Sequence, residues 1–500
     1  MEAKMFCKSL RYIFLAFVIA LGFFVVIATG GGGGSEDEDN SNDEDTCDYD
    51  VDIVCDSNED CYKMCFIHSG DPDDFIMFND RLFFTAYEGC KDIAQLKLYE
   101  IDQSGNIVEI SDLGSSITDK LILNDVLYFV QGGYLWKYDG VTPPQSLFPE
   151  DSEEYSGVEY LMEYNNRLYF SVYSNSVGDE VLFSYDISSD APAIAGNVIP
   201  FFDDYNYIVY NNKLYFRGYT VESGTELWCY DDSSDSQYMV ADINPSGSAF
   251  SYTSSIFVVF QGKLFFSADD SENGQQLWVI DGDNPPEKIT DFSAEEYIRV
   301  NPVDVFNDKL LIEVMEKTND ITQCSLYEYD GNNPVSSLNF DQPYSSMIQY
   351  TNLFSNTYTI LNNRFYFIAC DITTGWDGSE TLGATNLWVY DGVNTPEKIE
   401  YDYDTWFNIS DLFIHDEELI LKMSVDNIWA YDGISDPEQL VSPSQSGLDD
   451  IFLIMGFNDD YYITGETEEY GSELWKLDGS GEITLVNDFY PGTTCQCECD

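Results

Sequence analysis

Two tryptophans and a small set of acids stand where this 500-residue chain departs from its own pattern. Trp376, Asp377 and Glu380 fall in one stretch, and Tyr401, Tyr403 and Trp406 in another. Aromatic rings beside carboxylates suit a carbohydrate, a peptide or a calcium-bridged ligand: a ring offers a flat apolar face, and an acid offers acceptors or hard oxygen ligands. Paired carboxylates could also act as acid and base in a glycoside hydrolase or lyase, and 91 acidic residues leave that alternative open. Histidine chemistry is narrower. Only His68 and His415 occur, so a multi-histidine metal centre is excluded, and a His-dependent triad needs one of these two. His415 stands at an apolar position before a turn and reads as structural. No Gly-x-Ser-x-Gly elbow, His-Glu-x-x-His pair, sialidase-type box or phosphate loop occurs.

The pattern that these residues escape is Leu-Trp-x-x-Asp-Gly. It is clearest at 224–231, 274–282 and 471–479. Its Asp falls at 102, 139, 186, 231, 281, 330, 391, 432 and 478, with spacings of 37, 47, 45, 50, 49, 61, 41 and 46. Six of the eight tryptophans (136, 228, 278, 388, 429 and 475) occupy one position of it, and Tyr99, Phe183 and Tyr327 replace them elsewhere. A second element precedes each copy: a polar pair before an apolar run, as in Asn79-Asp80-Arg81-Leu82-Phe83-Phe84 and Asn211-Asn212-Lys213-Leu214-Tyr215-Phe216. Asn, Asp and Gly tolerate the positive φ of a two-residue hairpin turn.

One unit reads as four strands: 255–260, 263–268, 275–280 and 287–292. Four short antiparallel strands every 40–50 residues make a β-propeller blade. The chain is therefore expected to be all-β, a propeller of about nine four-stranded blades. An eight-bladed ring with one displaced unit is the alternative, the short units ending at Asp139 and Asp432 being first to be trimmed. Nine equivalent copies mark Leu-Trp and Asp-Gly as packing and turn residues, with Trp and Phe burying area between neighbouring sheets.

Gly-x-Glu-Leu-Trp-x-x-Asp-Gly, together with Val240-Ala241-Asp242-Ile243-Asn244-Pro245-Ser246-Gly247 and Leu485-Val486-Asn487-Asp488-Phe489-Tyr490-Pro491-Gly492, resembles the bacterial ELWxxDGT-repeat, or hyalin-repeat-like, proteins. The resemblance spans about residues 72–492. It implies export, propeller blades, and a strand-to-next-blade joint at 240–247 and 485–492. It brings no established catalytic residues, and the Thr that usually follows Asp-Gly is replaced by Val141, Asp283, Asn332, Val393, Ile434 and Ser480.

Lys4, Lys8 and Arg11 before an apolar run from Tyr12 to Thr29 make residues 1–30 a signal peptide or an N-terminal membrane anchor. A Gly-rich, acidic linker follows at 31–46, then a Cys-rich segment at 47–71, the propeller at 72–492 and a Cys-x-Cys-x-Cys tail at 493–500. The expected location is periplasmic, cell-surface or secreted, with membrane contact only through an uncleaved N-terminus. In an exported chain Cys47, Cys55, Cys61, Cys65, Cys495, Cys497 and Cys499 are expected to form disulfides, and a closed ring would bring the two segments together. Cys90, Cys229, Cys324 and Cys370 are scattered and expected to be buried. A formal charge of −70 argues against nucleic acid as partner.

Turns between strands 1 and 2 and between strands 3 and 4 of a blade share one face of the ring. Strand-2/3 loops and blade connections share the other. The variable loops lie on that second face, including 371–385 with Trp376 and the connection with Trp406, so binding is expected there. The sequence thus supports a non-catalytic extracytoplasmic binding or scaffold module for protein, carbohydrate or calcium-bridged ligands, with the enzyme above as alternative. No cofactor is required, although calcium is possible.

Overall fold

Nine polar pairs make nine tight turns. The first residue of each, from Asn79, Asn124, Asn165 and Asn211 through Gln261, Asn307, Asn362 and Asp416 to Asn458, has φ between 48° and 54°. In eight pairs the second residue is also positive, as two-residue turns of the mirror-image type require. Each turn joins the first and second strands of a four-stranded antiparallel blade, so sequence and structure agree on nine.

The computed structural model describes residues 61–499 apart from 68, 91–92, 114, 148–154, 189–190, 197, 201–206, 251–256, 273, 294–296, 319–320, 339–357, 375–379, 400–408, 424–426, 443–446 and 491–492. The expected targeting segment, the linker, Cys47 and Cys55 lie outside the described residues. Blades one to nine begin with the strands Asp73–Phe78, Ile117–Leu123, Tyr155–Tyr164, Ile199–Pro200 with Tyr207–Tyr210, Val258–Phe260, Tyr297–Phe306, Tyr358–Leu361, Ile409–His415 and Asp450–Phe457. In every blade the strands pair in sequence order, so no blade borrows a strand from the other end of the chain. The two short units are complete. Blade two saves residues by joining its second and third strands through Gly132-Gly133, and blade eight by a third strand of only four residues, Ile428–Tyr431.

The second strand of each blade is buried on both faces: it carries an unbroken apolar run of at least three residues rather than an alternation, followed in six blades by a buried polar residue, Thr85, Ser171, Arg217, Ser267, Glu313 or Thr464. In Arg81–Cys90, Phe83 packs toward blade two while Leu82, Phe84 and Ala86 pack toward blade nine. Nine separate apolar clusters fill the nine interfaces between neighbouring blades, and the last joins Leu82, Phe84 and Tyr99 to Phe457, Leu474 and Phe489. The ring is closed.

The motif's burial differs from expectation in one respect. Leu135, Leu227, Leu277 and Leu474 are fully buried, whereas the tryptophans that follow them are only half-buried. The indole amphiphile needs an acceptor, and Trp278 and Trp475 donate Nε1–H to the carbonyls of Ala268 and Gly465 at 3.0 Å. Leu fills the inter-blade core, Trp278 and Trp475 tie the third strand to the second within their own blades, and Trp388 and Trp429 are buried between blades as expected.

Candidate ligand-binding face

The motif's Asp closes the strand-3/4 turn by accepting backbone N–H groups. Asp139 Oδ1 accepts from Val141 and Thr142 at 2.9 and 2.7 Å, and Asp330, Asp391 and Asp432 repeat the arrangement. Donation to the carboxylate favours its charged form. Hydrogen bonds from Asn333 and Asn332 hold Asp330 down at about 2. These acids are committed to their turns.

The carboxylates pushed upward are the ones an acid–base mechanism would use. Burial pushes up Asp71, Asp73, Glu226, Asp304, Glu473 and Asp488, and it is the largest cause for each. Neighbouring acids add to the rise at Asp71 (Glu466 and Asp73), Glu226 (Asp242) and Glu473 (Asp488). Asp73 and Asp304 sit at register shifts in first strands, where Oδ1 accepts the N–H of the following residue at 2.7 Å. Asp119 and Asp411 do the same in blades two and eight. These are bulge residues.

Glu226 and Glu473 are the Glu of Gly-x-Glu-Leu-Trp, and both are fully buried. Glu226 accepts from the N–H groups of Ile243, Asn244 and Ala249, which lead from blade four into blade five, at 2.8–3.3 Å. Burial drives it up to about 7 against those three donors. Glu473 accepts from Phe489, Tyr490 and Gly70 at 2.9–3.3 Å and is driven up to about 8. In blade five Gln276 takes the position: Oε1 accepts from Phe292 N–H at 3.0 Å and Nε2 donates to the Phe292 carbonyl at 2.9 Å. The fourth strand expected over 287–292 is only Glu287–Lys288, as short as those of blades two, six and seven, which likewise follow a proline-containing turn.

The strand-2/3 face is uneven. In blade five the second and third strands are Lys263–Asp269 and Gln275–Ile280. In blade seven they are Arg364–Thr374 and Glu380–Tyr390, paired out to Thr374 opposite Glu380. The expected loop over 371–385 is therefore mostly hairpin, because Thr373, Thr374 and Thr381 favour a pleated ladder over an open loop. Four extra residues in the second strand carry blade seven about 13 Å beyond blade five. Blade six, with Lys309–Thr318 and Ile321–Tyr329, extends by three residues, and blade one has a similar pair in Arg81–Cys90 and Ile93–Ile101. Blades two and eight, with second strands of six residues each, are the shortest.

Of the expected ligand residues, Glu380 opens the third strand of blade seven. Trp376, Asp377, Tyr401, Tyr403 and Trp406 lie outside the described residues. Among the described residues no group of three or more His, Cys, Asp or Glu is placed to hold a metal ion. His415 packs its ring edge-on to Tyr461 at 4.9 Å, against Gly456 of blade nine. Cys229 is buried, and burial raises its thiol to about 11.

No family model and no curated protein matches this chain. Solved structures do. The β-propeller domain of the Trilobed protease from Pyrococcus furiosus shares 13% identity at a TM-score of 0.37, over 75% of this chain and 97% of that one. Pyrococcus horikoshii acylaminoacyl peptidase shares 14% at 0.36, over 80% and 58%. PorZ, a surface component of the type-IX secretion system of Porphyromonas gingivalis, shares 11% at 0.28, over 85% and 60%. The chain thus spans little more than half the length of the last two, and at these values the likeness concerns fold alone.

Proposed function

We propose that this chain is a non-catalytic, exported propeller that presents a ridge of strand-2/3 hairpins to an extracellular protein or carbohydrate. The observation that carries the reading is the unequal height of those hairpins on an otherwise regular ring. On the opposite face the strand-1/2 turns all keep two residues and the strand-3/4 turns four to six, while blades six and seven stand side by side about 10 and 13 Å above the level of blade five. Variation concentrated on one face of a rigid scaffold is the usual mark of recognition. Support also comes from four of the raised carboxylates: Asp73 and Asp304 are held at bulges, and Glu226 and Glu473 at blade joints.

The test is a glycan and protein ligand screen on the full chain, repeated with the blade-seven hairpin cut to the length of blade five and with Trp376→Ala and Trp406→Ala. Binding lost in the shortened or Trp-substituted proteins, at an unchanged melting temperature, supports the reading. Ligands held equally by all variants, or turnover of any screened glycan, would overturn it.

A further inference from the structure

The two ends of the described chain form a ribbon that joins none of the nine blades: strand Cys61–Ile67 pairs antiparallel with Thr493–Cys499. Its register sets Cys61 opposite Cys499 and Cys65 opposite Cys495, while Cys497 faces Lys63. Period two places all five cysteines on one side of the ribbon. Directly opposed residues of an antiparallel pair have Cα atoms about 4.5–5.5 Å apart, inside the roughly 4.4–6.8 Å range of disulfides. Diagonal partners lie about 7–8 Å apart and fall outside it. A lone two-stranded ribbon is marginal in water, so this one needs a further constraint to persist.

We propose that Cys61–Cys499 and Cys65–Cys495 are disulfides that lock the ring shut, leaving Cys497 out of the ribbon's pairing. Each forms by exchange with an external disulfide, either a thiol–disulfide oxidoreductase or glutathione disulfide. One cysteine thiolate attacks it to give a mixed disulfide, and the facing thiolate displaces the carrier. The two cysteines give up two electrons and two protons, and the oxidant leaves as two thiols. Either bridge alone closes a loop around the whole propeller. The second adds only a small ring inside the ribbon, so the two are redundant.

The test uses the full chain oxidised in a glutathione buffer. Trypsin cuts after Lys63 and a glutamyl endopeptidase after Glu498, which separates Cys61 from Cys65 and Cys499 from Cys495. Mapping without reductant is expected to link the Cys61 peptide to Cys499-Asp500 and the Cys65 peptide to that of Cys495, the latter link surviving Cys497→Ser. Reduction is expected to lower Tm by about 5 °C or more. Cys61→Ser or Cys65→Ser alone should lose less than half of that, and the double variant all of it. Crossed links, links to Cys47 or Cys55, free thiols at all four positions, or a full loss in either single variant would overturn the proposal.

Discussion

Blade four meets blade five, and blade nine meets blade one, through the same joint built from different ends of the chain. In the first, Ser248 Oγ accepts from Thr225 N–H, Ala249 N–H donates to Glu226, the Ala249 carbonyl accepts from Asp269, and Phe250 N–H donates to the Thr225 carbonyl. In the second, Ser69, Gly70 and Asp71 make the corresponding four bonds to Ser472, Glu473, Tyr87 and the Ser472 carbonyl. Gly70 lies 403 positions before Glu473. A segment that continues the chain at one joint is supplied at the other by the opposite terminus. Closure therefore needs no exchanged strand, because the last joint is a normal joint cut in two. The expected boundary at residue 72 falls inside it, and a fragment beginning there would lack three of its residues.

The largest effect should come from removing the shared carboxylate. Glu473→Ala leaves three buried N–H groups without an acceptor and is expected to cost about 3–5 kcal/mol in urea unfolding. Glu226→Ala orphans as many donors, but there the backbone still tethers the two blades. With reductant present Glu473→Ala should be the worse of the two, and with the chain oxidised the gap should narrow. Equal losses under both conditions would mean that the split joint is not the weak point of the ring. Next comes the residue that differs between the joints. A Cβ on Gly70 would lie 2.4 Å from Glu473 Oε2 and 2.9 Å from Phe489 Cβ, although Ala249 fills the same role in blade four. Gly70→Ala is expected to cost about 1–3 kcal/mol, whereas Ala249→Gly should cost about 1 or less. A tolerated Gly70→Ala would show that the closing joint is as loose as an ordinary one.

The joints also separate what the sequence declares from what it hides. Nine turns, nine blades and the meeting of the cysteine segments follow from local signals, since Asn-Asn and Asp-Gly declare their φ values and a closed ring forces its ends together. The joint at 240–247 is legible as a stretch resembling 485–492. Its mechanism is not, because the Glu that holds it lies 17 residues earlier in one case and the missing donor lies 403 residues away in the other. A signal for Glu226 and Glu473 does exist: each is an acid inside the strand part of a motif whose other acid, the Asp, is spent on the turn. The blade-seven hairpin passes for a loop because its Thr-rich segments carry no alternating apolar pattern. Its height shows only in the register.

Titration separates the two joints further. For both glutamates the folded value lies above the ordinary 4.5, so each adds stability that is complete below that pH and is lost as pH rises through the folded value. The blade-four joint loses stability from about pH 4.5 up to about 7 and the closing joint up to about 8, at up to about 1.4 kcal/mol per pH unit while the site is ionised unfolded but protonated folded, and the loss ends once the folded site ionises. Melting curves should fall from pH 5 to about 8 and level off by pH 9. Glu226→Gln and Glu473→Gln should each remove their own part of the slope, whatever they do to its level. A slope unchanged in both would assign the pH dependence elsewhere.

The smallest effect tests equivalence most directly. Ser248 and Ser69 each offer one hydroxyl oxygen to one N–H, at 3.0 and 3.1 Å. Alanine at either position should cost about 1 kcal/mol. If the split joint copies the continuous one bond for bond, the two losses agree within about 0.5 kcal/mol and add in the double variant, since the sites lie in different blades and share no partner. A Ser69→Ala loss well above that of Ser248→Ala would mean that the serine next to the cysteine ribbon carries an anchoring load which the backbone carries at the other joint.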